Sequence, residues 1–149
     1  SLFRAELKIR NESTELVYRT GDWWTTSDRG AVTAEGLEIS GRSDDYVKVL
    51  GSFVNLADLD LKLGKLLGEL GWSGGAMFVA LPDDRAGHSL TMVVESSGDL
   101  AKDQSILTKW NENCVGLERA KALHSVGRLP RNQMGKLQRN LVIAQLATF

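Results

Sequence analysis

Leucine recurs at helical spacing between residues 56 and 70, at Leu56, Leu59, Leu63, Leu66, Leu67 and Leu70, with polar residues filling the opposite face. This pattern predicts an amphipathic helix. Asn55 is placed to cap its first turn, Asp58 lies three residues on, and Gly71 stops it. The stripe spans barely two heptads, so it reads as a core face and not as a zipper. On either side the period changes. Residues 46–54 alternate in the manner of strands and are broken by Gly51, which predicts a hairpin with its turn near Gly51 and Ser52. Residues 76–81 and 90–95 are apolar, partly β-branched runs around the turn Pro82-Asp83-Asp84-Arg85-Ala86-Gly87, and predict neighbouring strands. A weaker helical pattern runs through Ile106, Leu107 and Trp110 over residues 102–114. A short strand over 122–126 and a last helix over 137–146 complete this part.

The first part of the chain is different. Strand-like runs at residues 3–9, 15–18, 31–33 and 37–40 are punctuated by Gly21, Gly30, Gly36 and Gly41, and large aliphatic side chains are sparse. Such a segment is expected to belong to a sheet whose other strands lie elsewhere. Composition turns small and polar at Gly41-Arg42-Ser43-Asp44-Asp45, which sets the expected border: a β-rich segment over 1–41 and a compact α+β unit over 42–149.

Composition adds exclusions. With 149 residues, 42% hydrophobic and 25% charged, the chain falls in the ordinary globular range. No apolar run approaches the roughly 20 residues that span a bilayer, and the first residues carry no signal-peptide pattern, so a cytoplasmic location is expected. Because the chain opens with Ser1 in what reads as mid-strand, a fragment of a longer protein is expected. Cys114 is the only cysteine and His88 and His124 the only histidines, too few for a cysteine-rich metal site. Net charge is −1, yet its distribution is uneven. Residues 119–149 hold six Lys or Arg and no acid, and all 19 acids lie before them. That tail attracts anions, whether a small molecule, a polyphosphate or a nucleic acid.

Chemistry concentrates in Leu129-Pro130-Arg131-Asn132-Gln133-Met134-Gly135-Lys136-Leu137-Gln138-Arg139. Pro130 fixes one backbone angle, Asn132 and Gly135 tolerate turned or left-handed conformations, and Lys136 stands at the far end of the turn. On spacing alone, Lys136 is as readily a solvated lysine as a catalytic one. A P-loop is excluded: Leu137 occupies the position of the magnesium-binding Ser or Thr, and the leading glycine is missing. Cys114 reads as a buried helix residue, the histidines as a turn and a strand residue, and the four tryptophans as packing.

Three stretches in this order resemble the C-terminal end of the AMP-forming acyl-CoA synthetases and the wider adenylating superfamily. Trp24-Thr25-Thr26-Ser27-Asp28-Arg29-Gly30 resembles the family's Thr-Gly-Asp segment. Gly41-Arg42-Ser43-Asp44-Asp45-Tyr46-Val47-Lys48, with Gly51, is similar to its hinge and the glycine hairpin after it. The Pro130 to Lys136 loop is similar to its final Gly-Lys loop. Leu81-Pro82-Asp83-Asp84-Arg85-Ala86-Gly87-His88 is also like the family's Pro-Asp turn, so the resemblance covers nearly the whole chain, the first twenty residues least well. Tyr18-Arg19-Thr20-Gly21-Asp22 is the closer string for the aspartate motif, but the family's spacing to the hinge favours Asp28 over Asp22.

The resemblance implies that residues 1–41 end the large adenylate-forming domain and that 42–149 form its lid, a short mixed sheet flanked by helices. It implies an acid–thiol ligase that adenylates a small carboxylic acid with ATP, Mg²⁺ accompanying the nucleotide, and then forms a thioester with CoA. The missing N-terminal domain is the partner without which the chain is expected to be inactive. Lys136 would be the catalytic lysine, Asp28 would hold the ribose hydroxyls, Arg42 would lie near the nucleotide, and Asp44 would be the hinge. Lys48 and Gly51 would sit on the hairpin facing the CoA channel, where Ser52 and Phe53 depart from the residues many members carry. Without the resemblance, Asp44 and Asp45 read as a solvated turn. The Trp-x-Thr-x-Asp-Arg-Gly form of residues 24–30 is similar to o-succinylbenzoate-CoA ligases of menaquinone synthesis, whereas residues 131–139 are closer to malonyl and fatty acyl-CoA ligases. Two alternatives stay open: a carrier-protein thiol as acceptor, and a non-catalytic module that binds nucleic acid or another polyanion through its basic tail.

Overall fold

The computed structural model describes residues 5–10, 23–42, 45–114 and 116–147. The chain divides into two units, Ser1–Tyr46 and Val47–Phe149. In the first, strands β1 (Ala5–Arg10), β2 (Trp23–Thr33) and β3 (Gly36–Arg42) form an antiparallel sheet in that order. The strand expected at residues 31–33 begins at Trp23, because Gly30 does not end it. The ladder absorbs that glycine as an irregularity between Arg29 and Gly30. The strand expected at residues 15–18 lies outside the described residues.

The hairpin β4 (Tyr46–Val49) and β5 (Ser52–Asn55) starts at the division, with all but Tyr46 in the second unit. Its turn sits at Leu50-Gly51, one residue earlier than the expected Gly51-Ser52. Both turn residues have positive φ, +49° and +81°, the backbone pair that matches the twist of a two-residue hairpin. Helix α1 (Leu56–Glu69) follows, with the Asn55 side chain accepting from the amides of Ala57 and Asp58. Gly71, at φ +68°, closes it as anticipated: Trp72 N–H reaches Leu67 O and Gly71 N–H reaches Gly68 O, a Schellman end.

The remaining strands, β6 (Ala76–Asp83), β7 (Gly87–Glu95) and β8 (Ala122–Val126), form a mixed sheet in the order β6-β7-β8, antiparallel then parallel. The two-residue period sorts the side chains of β6 and β7 between two cores. Phe78, Leu90, Met92 and Val94 face Leu56, Leu59, Leu63 and Leu67 of α1 and Ile106 and Trp110 of α2 (Leu100–Asn113). Met77, Val79 and Val93 face Leu129 and Val142, the latter on α3 (Arg139–Leu146). The expected α+β class, a short mixed sheet flanked by helices, is the one observed. Helix α2 begins two residues earlier than expected because Asp99 caps the amides of Ala101 and Lys102. Helix α3 begins two residues later, since Leu137 pairs with Arg131 and Gln138 N–H is taken by Pro130 O. Cys114 lies just past α2, half-buried and not within the helix, and burial, with Glu118 nearby, pushes its thiol upward, away from nucleophilic use. Among the described residues no helix is long and apolar enough to cross a membrane.

Two polar networks hold the elements together. At the edge strand β6, the main chain of Phe78 is satisfied by side chains. Asp60 Oδ1 accepts its N–H at 2.7 Å, Arg139 Nε donates to its carbonyl at 2.9 Å, and Arg139 pairs with Asp60. On α2, buried Asp103 accepts from the hydroxyls of Ser96, Ser97 and Ser125 and from Ser97 N–H, at 2.6 to 3.0 Å. Burial opposes its ionisation, but the four donors together outweigh burial and hold the carboxyl at about 2.

Asp103→Ala, which strands those donors, should cost about 2–3 kcal/mol of unfolding free energy in denaturant titration. The native pKa is depressed, so the unfolded chain binds more protons between the two values. The contribution of Asp103 is therefore full above the ordinary value of 3.8 and lost as pH falls towards about 2. Asp103→Asn should flatten acid unfolding in that window.

Candidate functional site

The Gly-Lys loop leaves β8 and is rooted before it turns. Leu129 is buried, and its N–H donates at 3.0 Å to the carboxylate of Glu95, which also accepts from Gly75 N–H at 2.9 Å. Those two amides, aided by the charges of Arg131 and Arg128, hold the Glu95 carboxyl below the usual range despite partial burial. At the other end, Leu137 packs against the second core. Between these roots, residues 131 and 137 form an antiparallel bridge.

The loop tip is organised by Asn132. Its side-chain oxygen accepts from the amides of Met134 and Lys136, both at 2.9 Å, and its own N–H donates to Lys136 O at 2.9 Å. Asn132 therefore serves through its amide oxygen. The left-handed residue is Gly135 alone, at φ +82°. Arg131 Nη1 donates to Gly135 O at 3.1 Å, and Gln138 Nε2 donates to Lys136 O at 3.3 Å. Both main-chain groups of Lys136 and of Gly135 are thus held, whereas the exposed Lys136 ammonium has no hydrogen-bond or ion-pair partner among the described residues. Beside the loop lies an open cleft of about 430 Å³ lined by Arg128, Leu129, Pro130, Arg131, Asn132, Gln133, Gly135 and Gln145.

Lys48 and Gly51 lie on the β4–β5 hairpin, which is seated on the turn between β6 and β7. Leu50 N–H donates to Ala86 O at 2.8 Å, and His88 Nδ1 lies 3.2 Å from Lys48 O. Exposed Lys48 places its ammonium 5.8 Å from the ring of Phe53. A Cβ on Gly51 would meet nothing within 4 Å, so the positive φ is what calls for glycine here. Leu50, 66% exposed and at φ +49°, is the one described non-glycine residue in that region. The hairpin meets β7 at its start and the Lys136 loop meets it at Glu95, its last residue. A strand of this length separates them by about 25 Å.

In the first unit, Asp28 and Arg42 are direct cross-strand partners in the β2–β3 ladder, which brings these two expected nucleotide residues together. Asp44 and Asp22 lie outside the described residues. His88 is on β7 and not in the turn, while His124 is exposed on β8. Trp110 packs on Phe78 with ring centroids 4.8 Å apart. Sequence reasoning passed over Glu95, Asn132 as an organiser, and Arg131. Glu95 acts across 34 residues, so no local pattern signals it, but an Asn two residues before Met134 and four before Lys136 carries a readable side-chain turn signal.

No family model matches the sequence. Solved structures do match the fold. An acyl-CoA synthetase (AMP-forming)/AMP-acid ligase II-like protein from Dyadobacter fermentans superposes at TM-score 0.68 with 17% identity, over 85% of this chain and 36% of that protein. A fatty acyl CoA synthetase from Mycobacterium tuberculosis gives 0.60 and 22%, over 87% of this chain and 25% of the other. ATP-bound MatB from Rhodopseudomonas palustris gives 0.63 and 23%, over 86% and 25%. The chain spans about a third of the first and a quarter of the other two, and it shares the fold of that portion of these proteins.

Asn132→Ala should leave the global melting temperature within a few degrees but speed amide exchange at Met134 and Lys136 by at least about tenfold, since one acceptor serves both. At the hairpin, Leu50→Asn should stabilise the chain by about 0.5–1 kcal/mol, because asparagine tolerates the left-handed region that leucine resists.

Proposed function

We propose that this chain carries the lid of an AMP-forming acid–thiol ligase, with Lys136 as the residue that assists adenylation. The observation that supports it most is the treatment of Lys136: its own N–H and carbonyl, and those of Gly135 before it, are held, while its ammonium has no partner among the described residues. Adenylation brings a carboxylate to the α-phosphate of ATP, so negative charge accumulates where the bond forms. At about 4 Å and an effective dielectric near 20, one ammonium attracts one anionic oxygen by roughly 4 kcal/mol. A fixed backbone delivers that charge without a large ordering cost on each cycle.

In this reading Asp28 accepts from the ribose hydroxyls and Arg42 lies near the same nucleotide, consistent with their pairing across β2 and β3. Asp44 is the hinge about which the lid turns. Lys48 and Gly51 serve the second half-reaction beside the CoA channel. Their position at the end of β7 opposite Lys136 suits a lid that presents two ends in turn. Mg²⁺ would enter with ATP. The similarity to ATP-bound MatB and to a fatty acyl CoA synthetase supports ATP and CoA as co-substrates. Such an enzyme would work in the cytoplasm and, on the form of residues 24–30, would take an o-succinylbenzoate-like aromatic acid.

In an enzyme carrying this chain with its adenylate-forming domain, Lys136→Ala should slow adenylate formation about a hundred- to a thousandfold, followed by pyrophosphate release. Transfer of preformed acyl-adenylate to CoA should change by no more than a few-fold. An unchanged first half-reaction would overturn the assignment.

A further inference from the structure

We infer that Arg131, seated on Glu95 and Gly75, is a positioning residue for Lys136; this rests on the ligase reading above. The guanidinium spans its own loop. Nη1 donates to the carbonyl of Gly135 at 3.1 Å, and Nη2 lies 4.0 Å from Glu95 Oε1, the oxygen that also accepts Leu129 N–H. The peptide between Gly135 and Lys136 is therefore gripped from both sides, its carbonyl by Arg131 and its N–H by Asn132. Removing Arg131 frees one side of the unit that aims the catalytic side chain.

The seat is built for this fork. A Cβ on Gly75 would come within 2.6 Å of Arg131 Nη2, so any side chain there pushes the guanidinium away. The other oxygen of Glu95 is occupied by Gly75 N–H at 2.9 Å, which fixes the carboxylate and presents Oε1 towards Leu129 and Arg131. Lysine in place of Arg131 keeps the charge and loses the second arm, so it holds either Glu95 or Gly135 O, not both. The three residues come from different places in the chain: the segment before β6, the end of β7 and the loop itself. They meet at the base of the one loop whose precise aim matters to the proposed reaction.

The test uses the two half-reactions of the ligase. Arg131→Met should lower kcat for adenylation by roughly 10- to 100-fold, the scale of a misplacement of about 1 Å, with KM for ATP within about twofold and thioester formation unchanged. Arg131→Lys should fall between wild type and Arg131→Met. Gly75→Ala leaves the arginine intact but displaces it, so it should reproduce the same split; it also serves if Arg131→Met does not fold. On top of Lys136→Ala, Arg131→Met should add nothing, since a residue acting through the lysine has nothing left to aim. A full additional loss in that background would show direct action on substrate and overturn the inference, as would normal adenylation by both Arg131→Met and Gly75→Ala. Loss of adenylation in Lys136→Ala with normal rates in those two sinks this inference alone. Normal adenylation in Lys136→Ala sinks the ligase reading itself.

Discussion

Strand β7 is buried on both faces, and the second unit depends on that constraint. Leu90, Met92 and Val94 point to the core under α1 and α2, and Val93 points to the core under α3. A central strand so enclosed cannot slip by one residue without exchanging its two cores, so its register is fixed, and with it the position of whatever attaches to its ends. What attaches at the start is the glycine hairpin, through Ala86 and His88. What attaches at the end is the Lys136 loop, through Glu95. Rigidity in the middle keeps the two attached pieces of chain at a defined separation.

Much of this was legible in the sequence, for reasons that differ by element. The leucines of α1 declare a helix because a 3.6-residue period is local, and Asn55 and Gly71 mark its ends by side-chain and backbone chemistry that needs no tertiary partner. Strand β8 is readable to the residue, its end marked by Gly127. Strand β2 runs through Gly30, where its sequence predicts a break, since a glycine that ends one strand and a glycine that kinks another look alike until the partner strand is known. Helix α3 starts later than its apolar period predicts because Leu137 satisfies that period while its backbone is already committed to Arg131. In the candidate site, Lys136, Gly135 and the turn around them followed from local chemistry, whereas Glu95 and Gly75 did not.

The polar networks show why. Asp60 and Arg139 lie 79 residues apart, yet together they satisfy both main-chain groups of Phe78 at the open edge of the sheet. Two charges placed there occupy the donor and acceptor of one residue on an edge that could otherwise pair with another strand. Asp103 does comparable work between α2 and the strands, accepting from serines on both sides of its helix. An isolated Asp, Ser or Arg in a sequence carries no sign of such duty, because the pairing exists only after the cores have set the distances.

The same reasoning separates Lys136 from Lys62, Lys121 and Lys102. Lys62 is spent on Glu118 and Lys121 on Asp83, both at about 3 Å, and Lys102 lies over the ring of Trp72. A lysine held in an ion pair must leave that partner before it can serve an incoming anion, at a cost of up to about 1 kcal/mol for pairs as exposed as these. Lys136 has no such bond to lose among the described residues, while the hydrogen bonds that fold its loop all fall on main chain and on Asn132, Arg131 and Gln138. Order is invested in the backbone and withheld from the ammonium. That division lets a single side chain meet a charged substrate at full strength without asking the rest of the loop to reorganise, and it is the property by which a presented lysine differs from one that is merely exposed.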